Sequence, residues 1–196
     1  MPEPDDVTLM ERFRSGDRAA LEELVNRHHA SLVRYFYLQS RSRETAEDLA
    51  QEVWVRIVRH RESYRASARF QTYLFHIARN LWIDRYRSQR AAPPTVSADA
   101  ETGEEDGGSL AAILPGHAPD PGEDAALRED AARVRAEVAR LPEHLRDVFE
   151  LGEVQGLRYV EVGGILGIPV GTVKSRMHAA VLRLRAALAA GGGGEA

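Results

Sequence analysis

The sequence predicts an all-α protein made of two small helical domains joined by a flexible acidic linker. Three observations carry that prediction. Apolar residues recur at three- and four-residue intervals through residues 7–90 and again through 125–188, the spacing of amphipathic helices. Residues 8–90 show none of the strict apolar–polar alternation that marks strands. Between the two blocks lie Pro93-Pro94, Gly103, Gly107-Gly108, Pro115-Gly116, Pro119 and Pro121-Gly122, which break any regular element. The expected boundaries are a first domain over 1–91, a linker over 92–124, a second domain over 125–188 and a disordered glycine-rich tail over 189–196.

Taking the elements in order, residues 7–24 form an amphipathic pattern on Leu9, Met10, Phe13, Ala20, Leu21 and Leu24. Ser15-Gly16-Asp17 divides it, with Asp17 placed to cap the second piece. A separate helix is expected over 25–39, holding Leu32, Val33, Phe36 and Tyr37. His28 and His29 are adjacent, so they point to different faces and make a poor metal pair. Residues 45–59 read as a helix with a capping-box-like start at Thr45 and Asp48. Its apolar stripe is Ala46, Leu49, Ala50, Val53, Trp54, Ile57 and Val58; Asp48, Gln51, Glu52, Arg56 and Arg59 lie opposite, and by spacing alone that face simply meets water.

Residues 61–90 carry seven Arg against Glu62 and Asp84. Residues 63–70 read as a loop, followed by a helix from Gln71 with Leu74, Ile77, Ala78 and Leu81 inward. Two other faces remain. One holds His76, Asn80, Asp84 and Arg87; the other holds Phe75, Arg79, Trp82 and Tyr86. Aromatic rings interleaved with Arg are what single-stranded bases stack on. Packing against neighbouring helices is the alternative for each ring.

The second domain opens with a helix over 125–140, aligned on Ala131, Val134, Val138 and Leu141, and Pro142 bounds it. A helix over 144–154 then buries Leu145, Val148, Phe149 and Leu151. Residues 159–185 read as two helices around a tight turn. The first buries Val162, Ile165 and Leu166; Gly167 stops it, and Pro169 starts the next. Gly163 and Gly164 weaken that first helix. The second places Val173, Met177, Ala180, Val181 and Leu184 on one side, leaving Thr172, Lys174, Ser175, Arg176, His178 and Arg183 outward. This is the layout of a helix-turn-helix whose second helix enters the major groove of DNA.

Charge supports a polyanionic partner. The net charge of −4 averages a mildly basic 1–91, a strongly acidic 92–130 and a mildly basic 131–196. The acidic connector is placed to repel DNA from the free protein. Only Lys174 among the 26 basic residues is Lys, a compositional bias, so Arg abundance alone is no nucleic-acid signal. The absence of cysteine excludes disulfides and thiolate metal sites and fits the cytoplasm. The acidic start lacks the apolar run of a signal peptide, and no apolar stretch is long enough to insert in a membrane.

Two blocks in this order resemble the bacterial sigma factors of the sigma-70 family, in the extracytoplasmic-function group. AEDLAQEVWVRI and FQTYLFHIARNLWIDRYR carry the likeness in residues 8–90; LPEHLRDVFEL, GLRYVEVGGILGIPVGTVKSR and the RLR that follows carry it in 128–186. Gly163 and Gly164 depart from the family pattern. The resemblance implies a sigma2-like bundle and a sigma4-like helix-turn-helix domain. It implies that Asp48, Gln51, Glu52 and Arg56 contact the clamp helices of the largest subunit of core RNA polymerase. It implies that Arg65, Arg69, Phe70, His76, Arg79, Asn80, Trp82, Asp84 and Arg87 recognise and open the minus-ten element of promoter DNA. The helix-turn-helix, through Thr172, Lys174, Ser175, Arg176, His178 and Arg183, would read the minus-thirty-five element. The second domain would also hold the polymerase flap, and the linker would thread through the enzyme. An anti-sigma factor is a further implied partner of a monomeric, cytoplasmic protein without enzymatic activity, cofactor or metal.

Two other functional classes fit the sequence less well. A response-regulator-type transcriptional regulator shares the helix-turn-helix but needs a strand-and-helix regulatory domain, which residues 8–90 do not offer. An enzyme would need a metal spacing, a nucleophile elbow or a phosphate loop. None is present, and the terminal GGGG lacks the Lys-Ser/Thr that completes a phosphate loop.

Overall fold

The computed structural model describes residues 3–66, 69–91 and 125–191; the linker and the last tail residues lie outside them. All regular elements among the described residues are helical. Helix α1 (Asp6–Arg14) starts on Asp5, whose carboxylate accepts from the Thr8 N–H at 2.8 Å. Gly16 turns the chain at φ +102, and Asp17 caps α2 (Arg18–Ser40) by accepting from the Ala19 and Ala20 N–H groups. The guanidinium of Arg12 closes over the same carboxylate at 2.6 Å.

Helix α2 runs unbroken where two helices were expected. Nothing between Arg18 and Ser40 interrupts the backbone ladder, and the apparent joint at 24–25 is only a widening of the buried face. Arg41, in the left-handed conformation at φ 58, ends it. Helix α3 (Arg43–Arg59) starts two residues before the expected cap: Ser42, not Thr45, is the N-cap, and its side chain accepts from the Thr45 N–H at 3.2 Å. A 3-10 turn (Arg61–Ser63) leads towards α4 (Phe70–Ala91).

In the second half, α5 (Ala125–Arg140) and α6 (Glu143–Phe149) follow the sequence pattern. The helix expected to reach 154 instead widens into a π-turn (Glu150–Val154), closed by the Gln155 N–H on the Glu150 carbonyl at 2.9 Å. The wide turn aims both Glu150 and Leu151 inward. Helices α7 (Tyr159–Leu166) and α8 (Val170–Gly191) complete the chain. Helix α8 carries through residues 189–191, which the sequence assigns to a disordered tail.

Burial follows the helical spacing, with exceptions. Leu24, Leu32, Phe36, Val53, Ile57 and Leu74 are among the fully enclosed side chains of the first half. Val148, Leu151, Val162, Val173 and Met177 of the second half join that same core, so the halves pack together. Val138, Leu141, Leu145, Ala180 and Leu184 form a smaller cluster between α5, α6 and α8. Val58 and Val134, expected inside, are exposed. His28 is buried with Nε2 2.7 Å from an Asp6 oxygen, and His29 meets Glu47 at 3.2 Å. No group of side chains suited to a metal ion occurs among the described residues.

Candidate nucleic-acid interface

The turn between α7 and α8 is built by its glycines. Gly167 is left-handed at φ +66, and its N–H closes on the Gly163 carbonyl, as does that of Ile168 at 3.0 Å. Gly163 has a reason to be glycine: a Cβ there would lie 2.9 Å from the Ile168 carbonyl oxygen, so the absent side chain lets the turn fold back on α7. Gly164 faces open space. Glu161 supports the start of α7 by accepting from the Arg158 N–H at 2.8 Å. The Arg158 guanidinium beside it is the main cause that holds the Glu161 carboxyl below its ordinary range.

Helix α8 buries Val173, Met177, Ala180 and Leu184. Lys174, Ser175, His178 and Arg183 are exposed, while Thr172 and Arg176 are half-buried beside them. The Ser175 hydroxyl donates to the Thr172 carbonyl at 3.0 Å, which leaves its lone pairs free to accept. Donors and a cation at successive turns of one solvated helix face can meet base edges and phosphates of a duplex groove.

Helix α4 separates the predicted strand-capturing residues into different environments. His76, Asn80, Asp84 and Arg87 are exposed on one face, with the Asn80 amide 3.2 Å from His76 Nδ1. Trp82 is half-buried and Tyr86 is 47% exposed. Arg69 is exposed at the start of the helix; Arg65 is exposed in the preceding loop and donates to the Glu62 and Tyr64 carbonyls. Phe70 and Phe75 are core residues, at 1% and 0% exposure. The Phe70 ring stacks on Trp54 and meets Tyr64 edge-on, so its faces are closed to a base. The physical reason is that Phe70 lies one turn before Leu74 on the inward face of α4, where His28 of α2, Trp54 of α3 and Tyr64 of the preceding loop enclose its ring. Arg79 is drawn away from solvent: its guanidinium lies 3.0 Å from Asp147 and 3.5 Å from Glu143 of α6.

A third surface runs along α3. Asp48 and Gln51 are exposed, Glu52 holds the Arg56 guanidinium at 3.1 Å, and Arg56 reaches Asp84 of α4 at 4.0 Å. Val55 and Val58 are exposed in the same strip. Apolar side chains ringed by charges are the usual composition of a protein-binding patch; the sequence pattern assigns Val58 to the buried stripe instead and does not mark Val55. Val55 is an apolar residue on the otherwise polar side of α3, four residues after Gln51, and that placement is the signal the sequence offers.

Comparison with known proteins agrees with this geometry. The model of sigma-70 region 2 matches residues 24–92, and that of sigma-70 region 4 matches residues 131–184. The ECF RNA polymerase sigma factor SigW of Bacillus subtilis is 30% identical over 86% of this chain and 89% of its own length. This chain belongs to the extracytoplasmic-function group of the sigma-70 family. A second ECF member, the sigma-E factor of Escherichia coli K12, is 35% identical over 89% of this chain and 90% of its own. Two solved structures share the sigma-factor fold. CnrH, in complex with the cytosolic domain of CnrY, superposes with a TM-score of 0.61 at 23% identity, covering 94% of this chain and 97% of that one. RpoE of Bartonella quintana, in complex with the anti-sigma factor NepR, gives 0.62 at 21% identity over 85% of this chain and 95% of that one. The response-regulator alternative is not favoured. No helix among the described residues of this sigma factor is long and apolar enough to cross a membrane.

Proposed function

We propose that this sigma factor acts in the cytoplasm as a non-enzymatic subunit that carries core RNA polymerase to promoters. The α3 strip of Asp48, Gln51, Glu52 and Arg56, widened by Val55 and Val58, docks on the polymerase clamp helices. The outward face of α8 reads the minus-thirty-five element as a duplex, with Lys174, Ser175 and Arg176 making the first contacts. Helix α4 and its preceding loop hold the opened minus-ten strand through Arg65, Arg69, His76, Arg79, Asn80, Trp82, Asp84 and Arg87. Phe70 is left out of that set because it is core. The two domains of the division 1–91 and 125–188 thus take separate promoter elements, with the linker 92–124 between them.

Opening a duplex costs roughly 0.6–2.2 kcal/mol of stacking per step. A factor without a nucleotide fuel offsets that cost by capturing the freed bases, and an exposed His76–Asn80 edge beside Trp82 offers polar and aromatic contacts. An anti-sigma factor is a further partner for the same exposed α3 strip; the structural relative RpoE of Bartonella quintana forms a complex with one, NepR. The observation that carries the reading is the outward polar face of α8 on a closed helix-turn-helix. Run-off transcription with core polymerase tests it: promoter-directed RNA is expected with the protein and none without it. Arg176→Ala is expected to weaken holoenzyme binding to the promoter by about 1–3 kcal/mol. Unchanged affinity in a shift assay removes Arg176 from the contact set, and failure of all promoter-directed synthesis removes the reading.

A further inference from the structure

His76 and Asn80 stand four residues apart on α4, so they are neighbours on one face of the helix, and both are exposed. The Asn80 amide nitrogen lies 3.2 Å from His76 Nδ1. An amide nitrogen only donates, so Nδ1 presents its lone pair and the ring proton sits on Nε2. Asp84, one turn further along the same face, is a rival acceptor for that amide. Its carboxylate is turned to Arg56 of α3 instead, at 4.0 Å. Asn80 Oδ1 has no hydrogen-bond partner among the described residues.

The hydrogen bond therefore sets which way round the amide stands. An unrestrained Asn side chain turns over and offers either its oxygen or its nitrogen. Held by an acceptor on one side, it offers the oxygen on the other. A strand positioned by its phosphates brings each base edge to one place, and the atom found there decides the fit. Adenine and cytosine bring an exocyclic amino donor; guanine and thymine bring a carbonyl oxygen. Oδ1 accepts from the amino group and repels the carbonyl, while the remaining Nδ2 hydrogen is available to a ring nitrogen.

We propose that His76 is a positioning residue for base selection. It holds the Asn80 amide oxygen outward, so that α4 favours adenine or cytosine over guanine and thymine at one position of the opened minus-ten strand, a role that rests on the assignment of α4 to that strand. His76 acts through Asn80, and what matters is that its ring nitrogen accepts.

Holoenzyme binding to a promoter with an unpaired minus-ten bubble tests this, each non-template position of the bubble carrying each of the four bases in turn. The parent should show one position where adenine or cytosine binds about tenfold tighter than guanine or thymine, within the range of a good base contact. Asn80→Ala should abolish that preference. His76→Asp, whose carboxylate only accepts, should keep it, with an overall loss of affinity from the added negative charge that is equal for all bases. His76→Lys, whose ammonium only donates, should draw Oδ1 inward, present Nδ2 and transfer the preference to guanine or thymine at the same position. His76→Ala should bring the four bases close to equal. The site is exposed, so all three variants should keep the urea midpoint of the parent. A merely structural role for His76 would weaken binding of all four bases alike and leave their order unmoved. The same base order in His76→Lys as in the parent overturns the proposal. Where Asn80→Ala abolishes the preference but no His76 variant moves it, the role of His76 alone falls; where Asn80→Ala leaves every preference intact, the assignment of Asn80 to the strand falls with it.

Discussion

Phe70 separates a packing role from a nucleic-acid role, and the two predict different experiments. The ring is 1% exposed and is surrounded by His28, Trp54, Tyr64 and Tyr73. Phe70→Ala removes the contacts of a whole aromatic side chain and leaves a cavity under α4, because Trp54 and Tyr64 are anchored on separate elements. Substitutions of this kind cost about 3–5 kcal/mol. For a helical unit of this size that corresponds to a fall in Tm on the order of 10 °C. Phe70→Leu keeps most of the volume and should cost about 1 kcal/mol. Urea unfolding followed by far-UV circular dichroism measures both; the midpoint should move while the slope stays fixed. At a temperature where Phe70→Leu is fully folded, its strand binding should equal that of the parent. A Phe70→Ala protein with an unmoved midpoint but lost promoter opening would show that the ring leaves the core to meet a base, and the burial argument would fall.

Three further outcomes follow from local geometry. Ser42→Ala should destabilise by about 1 kcal/mol through loss of the α3 cap, whereas Thr45→Ala should stay near zero, as read by the same unfolding assay. Gly164→Ala should add about 0.5–1 kcal/mol, since the position is helical and open, while Gly163→Val should remove about 1–3 kcal/mol by forcing the turn away from the Ile168 carbonyl. Stability should also fall in acid. Hydrogen bonds to Thr8, His28, Arg12 and Arg158 are the chief causes holding Asp5, Asp6, Asp17 and Glu161, respectively, below their ordinary range. Their contribution is complete above about pH 4.5 and is lost as pH drops through the lowered native values. Asp147 runs the other way, because burial pushes its carboxyl up and protonation relieves that penalty. A titration of Tm in which Asp6→Asn flattens the acid limb and Asp147→Asn does not would match these signs.

The helices were legible because their apolar spacing is regular and their stop signals are strong. Gly167 and Pro169 located the helix-turn-helix turn, and Asp17 marked the start of α2, since each acts on backbone within a few residues of itself. Less was legible where the deciding partner lies far along the chain. Nothing near Phe75 or Phe70 distinguishes a core ring from a base-stacking ring; the distinction comes from Tyr35 and Trp54 on α2 and α3. Gly163 reads as a weakness by helix propensity, and its use appears only with the Ile168 carbonyl in place. The Asp147 and Glu150 carboxylates look like ordinary helix-surface charges in the sequence, because Arg79 and Arg34 that face them are 68 and 116 residues away.

Helix α2 spans 23 residues, about 34 Å at 1.5 Å per residue, without a joint. Near its middle, Arg27 grips the Pro4 carbonyl and Asp6; further along, Arg34 and Gln39 grip the other half of the molecule. A continuous rod cannot absorb a swing between those two grips by bending. Motion of the carboxy-terminal half must therefore occur at its contacts with a fixed beam, by slippage or by separation, not by flexure within it. A probe mounted anywhere on α2 becomes a stationary reference from which that motion can be measured.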